Sequence, residues 1–273
     1  MSNGSPLSAR YGPWAVVIGA GQGIGAEFCR QLASRGLNLV MVALEDEELR
    51  ALSQKLVDAH GIEARAVVGD IMAPDVLRNV AAAAENLDIG LLVYNAALSS
   101  TEAWLDTPIE RHLAMIDVNV RGPLILMDHF VRPMIARRRG GVILLSSMSA
   151  LQGSPMVATY AATKAFTLNL AESLWDEWRR AGVDVMALVP GQTDTPGFRA
   201  SAPRSTRGGP APMEVGPVVA EALAALGSGP SVIPGRLNKV LGYTFSRVLP
   251  RRRAVGYMGR TLRAMYGKRE SRG

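Results

Sequence analysis

The chain has 273 residues, a formal net charge of +6 at pH 7 and one cysteine. This length suits a single α/β domain with a substantial core. The lone Cys29 excludes an internal disulfide framework and fits a reducing compartment. No segment approaches the roughly twenty apolar residues that cross a bilayer, and the N-terminal MSNGSPLSARYG lacks the apolar core of a secretory signal. We therefore expect a cytoplasmic protein.

Short apolar runs alternate with amphipathic stretches along the chain. The runs predict seven strands: WAVVIGA, LNLVMVAL, EARAVVG, IGLLVYNA, GGVILLSS, VDVMALVPG and PSVIPG. Helical patterns lie between them, as in GAEFCRQLASRG, DEELRALSQKLVDAHG and MAPDVLRNVAAAAENL. This alternation predicts one doubly wound, Rossmann-type α/β domain over 1–273, with a seven-stranded, mostly parallel sheet and helices on both faces. Ligands of such sheets bind at the carboxyl ends of the strands.

The first predicted strand runs directly into a glycine-rich turn that precedes a helix. Glycines keep such a turn tight and let the backbone approach a pyrophosphate, whose charge the helix N-terminus stabilises. A purely structural turn is the alternative, but its position after the first strand favours a dinucleotide. The predicted cofactor contacts in this turn are Gly19, Gly21, Gln22, Gly23, Ile24 and Gly25.

The end of the second predicted strand bears on the type of dinucleotide. Ala43 and Leu44 stand there, and we expect Leu44 to contact the cofactor. The acidic run 45–48 follows at once and would repel a 2′-phosphate, which favours NAD over NADP. The alternative is that these acids only begin a helix, where negative charge is stabilising. We expect NAD or NADP, with a weak preference for NAD.

Tyr160 and Lys164 stand four residues apart in ATYAATKAF, and Ser146 and Ser147 end an apolar run upstream. On a helix this spacing places both side chains on one face, where the ammonium can lower the pKa of the phenol. A tyrosine with a lowered pKa is a general acid or base. The alternative for the pair alone is a chance arrangement on a helix surface.

Together these motifs, over about residues 14–198, resemble the short-chain dehydrogenase/reductase family, in the subgroup with Gly-x-x-x-Gly-x-Gly and Tyr-x-x-x-Lys motifs. Two positions depart from the family pattern: Ile18 replaces a threonine and Ala97 a glycine. The resemblance implies an oxidoreductase that transfers hydride between a nicotinamide cofactor and a hydroxyl or carbonyl group. It also implies a catalytic tetrad of Asn119, Ser147, Tyr160 and Lys164, because the family's serine lies thirteen residues before its tyrosine.

The resemblance assigns further roles by motif. Tyr160 would exchange the proton, Ser147 would bond the substrate oxygen, Lys164 would bond the nicotinamide ribose, and Asn119 would support a water relay. The implied cofactor contacts beyond the glycine turn are Asp70, Ile71, Asn95, Ala96, Ala97, Tyr160, Lys164, Pro190, Gly191, Thr193 and Thr195. Thr195 would bond the carboxamide. No metal is expected.

The substrate is expected to be a small, apolar alcohol or ketone. The pocket-lining positions carry no charge, although some of them could simply be core. The expected substrate contacts are Ser147, Leu151, Gln152, Tyr160, Gln192 and Phe198, with Leu98, Ala150 and Met156 as further lining. The segment 195–217, rich in Pro, Gly, Ser and Arg, follows the sixth strand and is expected to be a lid.

Arginines crowd the C-terminal segment 236–273, which is expected to form a basic helical extension, as one helix or as two split by Pro250. Such helices can lie on an anionic membrane, but they more often cover a dimer contact or the domain's own core. We expect a homodimer or homotetramer and no nucleic-acid partner, and contact of the basic C-terminal tail with a membrane surface is the less favoured alternative. The alternative function is a non-enzymatic dinucleotide-binding sensor or scaffold, against which the complete tetrad argues.

Overall fold

The computed structural model describes residues 7–73, 75–201 and 210–267. It contains one seven-stranded sheet whose strands lie in the order β3-β2-β1-β4-β5-β6-β7. The strands are β1 Trp14–Ile18, β2 Asn38–Ala43, β3 Ala64–Val68, β4 Ile89–Tyr94, β5 Gly140–Leu145, β6 Val183–Leu188 and β7 Ser231–Val232. Every neighbouring pair is parallel. The predicted Rossmann-type fold is therefore confirmed, and the sheet is fully rather than mostly parallel.

Helices cover both faces of this sheet, since parallel strands need crossovers. They are α1 Leu7–Tyr11, α2 Gly23–Ala33, α3 Asp46–His60, α4 Val76–Ala83, α5 Ile109–Ile116, α6 Gly122–Ala136, α7 Ala158–Arg179, α8 Pro196–Ala200, α9 Val215–Ala225, α10 Arg236–Tyr243 and α11 Arg251–Tyr266. One core lies under α2, α3 and α9, and the other under α4, α6 and α7. The central strands β1 and β4 are buried along their whole length, which explains their continuous apolar sequences.

The strand order reverses at β1, because β2 lies on one side of it and β4 on the other. A crevice opens at such a point beside the carboxyl ends of the strands. The glycine turn follows β1 and the segment Asn95–Ala97 follows β4, so the fold brings the two together there. The site predicted from the sequence therefore lies at one edge of the sheet.

The structure differs from the sequence-based expectation in three local features. The seventh strand is only two residues long, and α4 begins at Val76, four residues later than its pattern suggested. Between α5 and α6 the chain forms a π-helical turn, Asp117–Arg121, which contains Asn119. The lid predicted at 195–217 includes α8 and the start of α9, whereas 202–209 lie outside the described residues.

The C-terminal extension forms two helices rather than one. Of the two arrangements expected from the sequence, this is the one in which Pro250 divides the segment. A π-helical turn, Thr244–Val248, continues α10, and Pro250 separates it from α11. Within the described ranges, no helix is both long and apolar enough to cross a membrane.

Candidate active site

The glycine turn after β1 is held tightly against the next loops of the sheet. Gly19 has φ +81°, and a Cβ there would stand 2.7 Å from the backbone nitrogen of Ala96. A Cβ at Gly25 would stand 1.9 Å from the Gly19 carbonyl oxygen. The side-chain amide of Asn95 donates to that same carbonyl at 2.8 Å. These glycines are required by close packing, and Asn95 fixes the turn to the end of β4.

The turn fits the pyrophosphate of a dinucleotide. Gln22 is the N-cap of α2 and makes no side-chain capping bond, so no side-chain cap occupies this helix start. Ile24 packs inward in the first turn and is 9% exposed. A Cβ at Gly23, which has φ +56°, would stand 3.0 Å from the Thr195 side chain. The absence of a Cβ at Gly23 therefore lets the Thr195 side chain pack directly against the backbone of the glycine turn.

The end of β2 presents both an apolar and an acidic side chain near this turn. Leu44 is 62% exposed, and Ala43 is buried. The Glu45 carboxylate lies 3.4 Å from where a Cβ at Gly21 would stand. Asp46, Glu47 and Glu48 occupy the first turn of α3, as the alternative interpretation of this cluster proposed. Glu45, the N-cap of that helix, is thus the acid that lies beside the glycine turn.

Two further expected cofactor contacts lie after β3. Asp70 is exposed and accepts a hydrogen bond from the backbone of Met72 at 2.9 Å, which orders the turn. Ile71 is half-buried against the core that includes α4. Ala97 is exposed on the segment after β4. All three lie at the carboxyl edge of the sheet, where Asp70 and Ile71 were expected to hold the adenine ring.

Asn119 connects two walls of the site. Its Oδ1 accepts from the Leu98 backbone at 2.8 Å, and its Nδ2 donates to the Leu98 carbonyl at 2.8 Å and to the Thr163 hydroxyl at 3.0 Å. The side chain is 2% exposed. Because both of its N–H groups are engaged, this amide acts as an anchor between the loop after β4 and α7. The water relay assigned by resemblance stays a prediction.

The two adjacent serines have different surroundings. Ser146 is buried and donates to the Lys164 carbonyl at 2.7 Å, so its hydroxyl is used to hold α7 on β5. Ser147 faces the other way and hydrogen-bonds with the Tyr160 side chain. It also accepts from the Ser149 hydroxyl at 3.1 Å. The geometry therefore favours Ser147 as the residue beside the reacting oxygen.

Tyr160 and Lys164 lie together on the first turns of α7, but the expected effect on the phenol pKa is wrong in direction. The Lys164 nitrogen lies 5.6 Å from the centre of the Tyr160 ring and donates to the Leu145 carbonyl at 2.7 Å. Burial raises the pKa of Tyr160, while the Ser147 hydrogen bond lowers it less and Tyr266 raises it slightly. Burial also lowers the pKa of Lys164 to about 7. Desolvation therefore outweighs the charge effect that the sequence suggested.

The segment after β6 lies between the glycine turn and the C-terminal extension. Pro190 accepts from the Met148 backbone at 3.0 Å, and Thr193 is 6% exposed and donates to the Gly191 carbonyl at 3.1 Å. A Cβ at Gly191 would stand 2.8 Å from the Asn238 side chain. Thr195 caps α8 by accepting from the Phe198 backbone at 3.0 Å. The segment is thus fixed beside Gly23, where it was expected to position the nicotinamide.

The C-terminal helix α11 packs over Tyr160, a contact that the sequence did not assign. An apolar cluster surrounds Tyr160, and its members come from α7 and the two residues before it, from α8 and from α11: Met156, Val157, Ala161, Phe198, Met258, Leu262, Met265 and Tyr266. Gln192 donates to the Met265 sulfur at 3.5 Å, and its buried Oε1 has no hydrogen-bond partner among the described residues. The spacing of 258, 262 and 265 marks one helical face and was the available signal.

Not every expected substrate contact lies open to this cluster. Gln152 is 6% exposed, and its amide donates to the Met148 carbonyl at 3.4 Å and the Ser154 hydroxyl at 3.5 Å, so it stabilises its own turn. The Leu151 carbonyl accepts a hydrogen bond from Arg251 at the start of α11. Phe198 and Gln192 do contact the cluster or α11.

Comparison with known proteins identifies the class of protein to which this chain belongs. The family model for short chain dehydrogenases matches residues 13–205. The chain therefore belongs to the short-chain dehydrogenase/reductase family, and it is an oxidoreductase of that family. The resemblance drawn from the motifs is confirmed.

Individual similar proteins point to a narrower type of dehydrogenase than the family model does. The chain is 38% identical to a 7beta-hydroxysteroid dehydrogenase from Mediterraneibacter gnavus over 239 residues, which cover 85% of this chain and 90% of that one. A solved structure concerned with 7beta-hydroxysteroid dehydrogenase stereoselectivity superposes with a TM-score of 0.85 at 35% identity, covering 93% and 99% of the two chains. A Sphingobium yanoikuyae short-chain dehydrogenase in complex with NADPH has a TM-score of 0.74 at 27% identity and covers 81% and 87%. These neighbours give no support to a preference for NAD.

Some similar proteins are named as inactive rather than as dehydrogenases. The human protein named inactive hydroxysteroid dehydrogenase-like protein 1 is 30% identical over 188 residues, which cover 67% of this chain and 57% of that one. The proteins similar to this chain therefore include one that is named as inactive.

Proposed function

We propose that this chain is an NAD(P)-dependent hydroxysteroid dehydrogenase that acts on a secondary hydroxyl or the corresponding ketone of a steroid nucleus. The observation that supports it most is the apolar cluster around Tyr160, to which α11 contributes Met258, Leu262 and Met265. A rigid polycyclic substrate needs an apolar wall beside the proton-transfer group. The likeness to 7beta-hydroxysteroid dehydrogenases supports the same class of substrate.

When bound, the nicotinamide supplies or accepts the hydride. Tyr160 donates a proton to the carbonyl oxygen in reduction or removes one from the hydroxyl in oxidation. Ser147, which already hydrogen-bonds with Tyr160, donates to the same substrate oxygen and stabilises its developing charge. Because burial raises the pKa of Tyr160, the protonated phenol predominates at neutral pH, and this is the form that reduction requires.

Lys164 and Asn119 position these groups. The Lys164 nitrogen is fixed by the Leu145 carbonyl, 5.6 Å from the centre of the Tyr160 ring, and in this proposal it would bond the nicotinamide ribose. Asn119 holds the loop at Leu98 against α7 through Thr163, which keeps the two walls at a constant separation. The other predicted cofactor contacts keep their assigned roles within this proposal.

The first experiment uses a panel of steroid epimers. The purified protein is incubated with NAD⁺ or NADP⁺ and with 7β-hydroxy, 7α-hydroxy or 3α-hydroxy bile acids, with a sugar acid as a polar control, and absorbance of the reduced cofactor is followed. We expect turnover of the 7β-hydroxy compound above that of the other two. Turnover of the sugar acid alone would contradict the proposal.

For the cofactor, the local geometry supports NAD. The Glu45 carboxylate lies beside Gly21, where it can accept from a ribose hydroxyl and would repel a 2′-phosphate. Fluorescence titration should give a lower dissociation constant for NADH than for NADPH, and Glu45→Gln should narrow the difference by roughly tenfold. Asp46→Gln, one residue into α3, is the matched control. Equal affinities of the wild-type protein for NADH and NADPH would contradict the proposed preference for NAD.

We also propose a homodimer or homotetramer formed through α5, α6 and α7. These helices expose large apolar side chains: Ile109, Leu113, Ile116, Leu124, Ile125 and Phe166. Three of them, at 109, 113 and 116, lie on one helical face, as an interface stripe would. Light scattering of the wild type and of Leu113→Ser should show a loss of mass in the variant.

A second candidate is the non-enzymatic dinucleotide-binding sensor. One similar protein is named as inactive, and this observation favours testing the sensor hypothesis alongside the enzymatic one. The complete set of Asn119, Ser147, Tyr160 and Lys164 argues for catalysis. Cofactor binding without turnover of any compound in the panel would favour the sensor.

A further inference from the structure

The outer face of the α10 segment carries large apolar side chains where a surface helix is normally polar. The buried face of this segment, 236–248, presents Asn238, Gly242 and Phe245 to the protein. The opposite face exposes four large side chains by more than half of their area, which we call the outer stripe: Leu237 (57%), Val240 (62%), Tyr243 (65%) and Val248 (62%). Such a contiguous exposed apolar surface marks an interaction site.

The outer stripe lies among positive charges. Between 236 and 267 the sequence contains seven arginines and one lysine, with no aspartate or glutamate. Arg236, Val240, Tyr243 and Arg247 follow each other at spacings of four, three and four residues, which places two guanidinium groups and two stripe residues on one helical face. Lys239 lies on the flank and pairs with Glu221 at 2.8 Å.

We propose that the outer stripe binds the surface of an anionic lipid membrane. Interfacial helices combine an apolar strip that enters the headgroup boundary with cations that face anionic lipids. Tyrosine is also favoured at that depth. The inner face of α10 is already used for packing, so the segment can rest on a membrane without leaving the protein.

A second copy of the chain fits this surface less well than a membrane does. A two-fold contact through the outer stripe would bring Arg236 and Arg247 of one copy near the same residues of the other. Like charges brought together at an interface are destabilising, and no acidic residue of the segment could offset them. A nucleic acid would meet the arginines but leave the apolar side chains without a partner. Membrane binding uses both features.

The test is sedimentation of the full-length protein with vesicles, which requires no enzymatic activity. One set of vesicles contains phosphatidylcholine with phosphatidylglycerol, and the other contains phosphatidylcholine alone. We expect binding to the first set, weaker binding at high salt, and little binding to the second. Arg236→Gln/Arg247→Gln should lower the partition coefficient roughly 25-fold, at about fivefold for each cation. The matched charge control is Arg50→Gln on the exposed side of α3.

The apolar contribution is tested by Leu237→Ser/Val240→Ser, with Leu105→Ser as the matched control because Leu105 is 88% exposed elsewhere. The double variant should lose at least about tenfold in partition, while the control should not change it. All substituted side chains are exposed, and circular dichroism checks the fold. The proposal is overturned by a wild type that stays in the supernatant with anionic vesicles, or by equal binding to both sets. Equal loss in the control variant overturns it too. A fall in the molecular mass of the double variant by light scattering would assign the stripe to a second copy instead.

Discussion

The two walls that meet at Tyr160 are held by different forces. On the sheet side, hydrogen bonds of 2.7 Å join Ser146 to the Lys164 carbonyl and Lys164 to the Leu145 carbonyl. On the side of α11, Leu262 and Met265 contribute apolar packing. The polar contact of this wall is a long hydrogen bond of 3.5 Å that Gln192 donates to the Met265 sulfur. Directional bonds fix the position of the reacting groups. Apolar packing is tolerant of changes in shape, and we therefore propose that the hydrogen-bonded wall carries the chemistry and the apolar wall selects the substrate.

Apart from substitution of Tyr160 itself, the largest expected effect separates the two serines of the first wall. Ser147→Ala should lower kcat roughly 10²–10³-fold, because it removes the donor beside the reacting oxygen. Ser146→Ala should keep most of the activity but lower the free energy of unfolding by about 1–3 kcal/mol, because the buried Lys164 carbonyl loses its donor. Steady-state kinetics and urea unfolding measure the two effects. A large loss of kcat from Ser146→Ala alone would reverse the assignment.

The second wall should respond through KM. Leu262→Ala removes apolar area beside Tyr160 and is expected to raise KM for a steroid about tenfold, with a smaller effect on kcat and none on cofactor affinity. Leu226→Ala is the matched control, since Leu226 is buried in the core under α2 and α9. That control should lose stability without a change in KM. Equal KM changes in both variants would show that α11 acts only on stability.

A further effect concerns pH and Lys164. Its pKa is lowered to about 7, below the ordinary value of 10.5, so above pH 7 the unfolded chain holds a proton that the folded protein does not. The free energy of unfolding should therefore rise between pH 7 and pH 9, by at most about 2–3 kcal/mol from this group. Lys164→Met should flatten that rise. Parallel pH dependences in the two proteins would show that Lys164 keeps an ordinary pKa.

The sequence was informative where a short motif determines a local geometry. Alternating apolar runs predicted the seven strands, and Gly19, Gly23 and Gly25 predicted a turn whose packing leaves no room for side chains. The pairing of Tyr160 with Lys164 followed from helical spacing alone. These inferences need only neighbouring residues, which explains why the structure agrees with them.

The parts that the sequence did not predict depend on contacts between distant residues. Tyr266 and Tyr160 are more than a hundred positions apart, and only the folded path of α11 brings them together. The raised pKa of Tyr160 has the same origin, because burial is a property of the assembled site rather than of the motif. In the sequence, Glu45 cannot be distinguished from the three acids that follow it, whereas in the structure it is the acid that lies beside Gly21.

The most direct test of the account is Tyr160→Phe, measured for turnover and for cofactor binding in the same preparation. The substitution removes only the hydroxyl that exchanges the proton, so the cluster with α11 keeps its packing. We predict that kcat with a hydroxysteroid falls by roughly 10³-fold or more, while the dissociation constant of the reduced cofactor changes less than about twofold. A variant that turns over the same steroid at a near-normal rate would contradict the assignment of Tyr160 as the proton-transfer group.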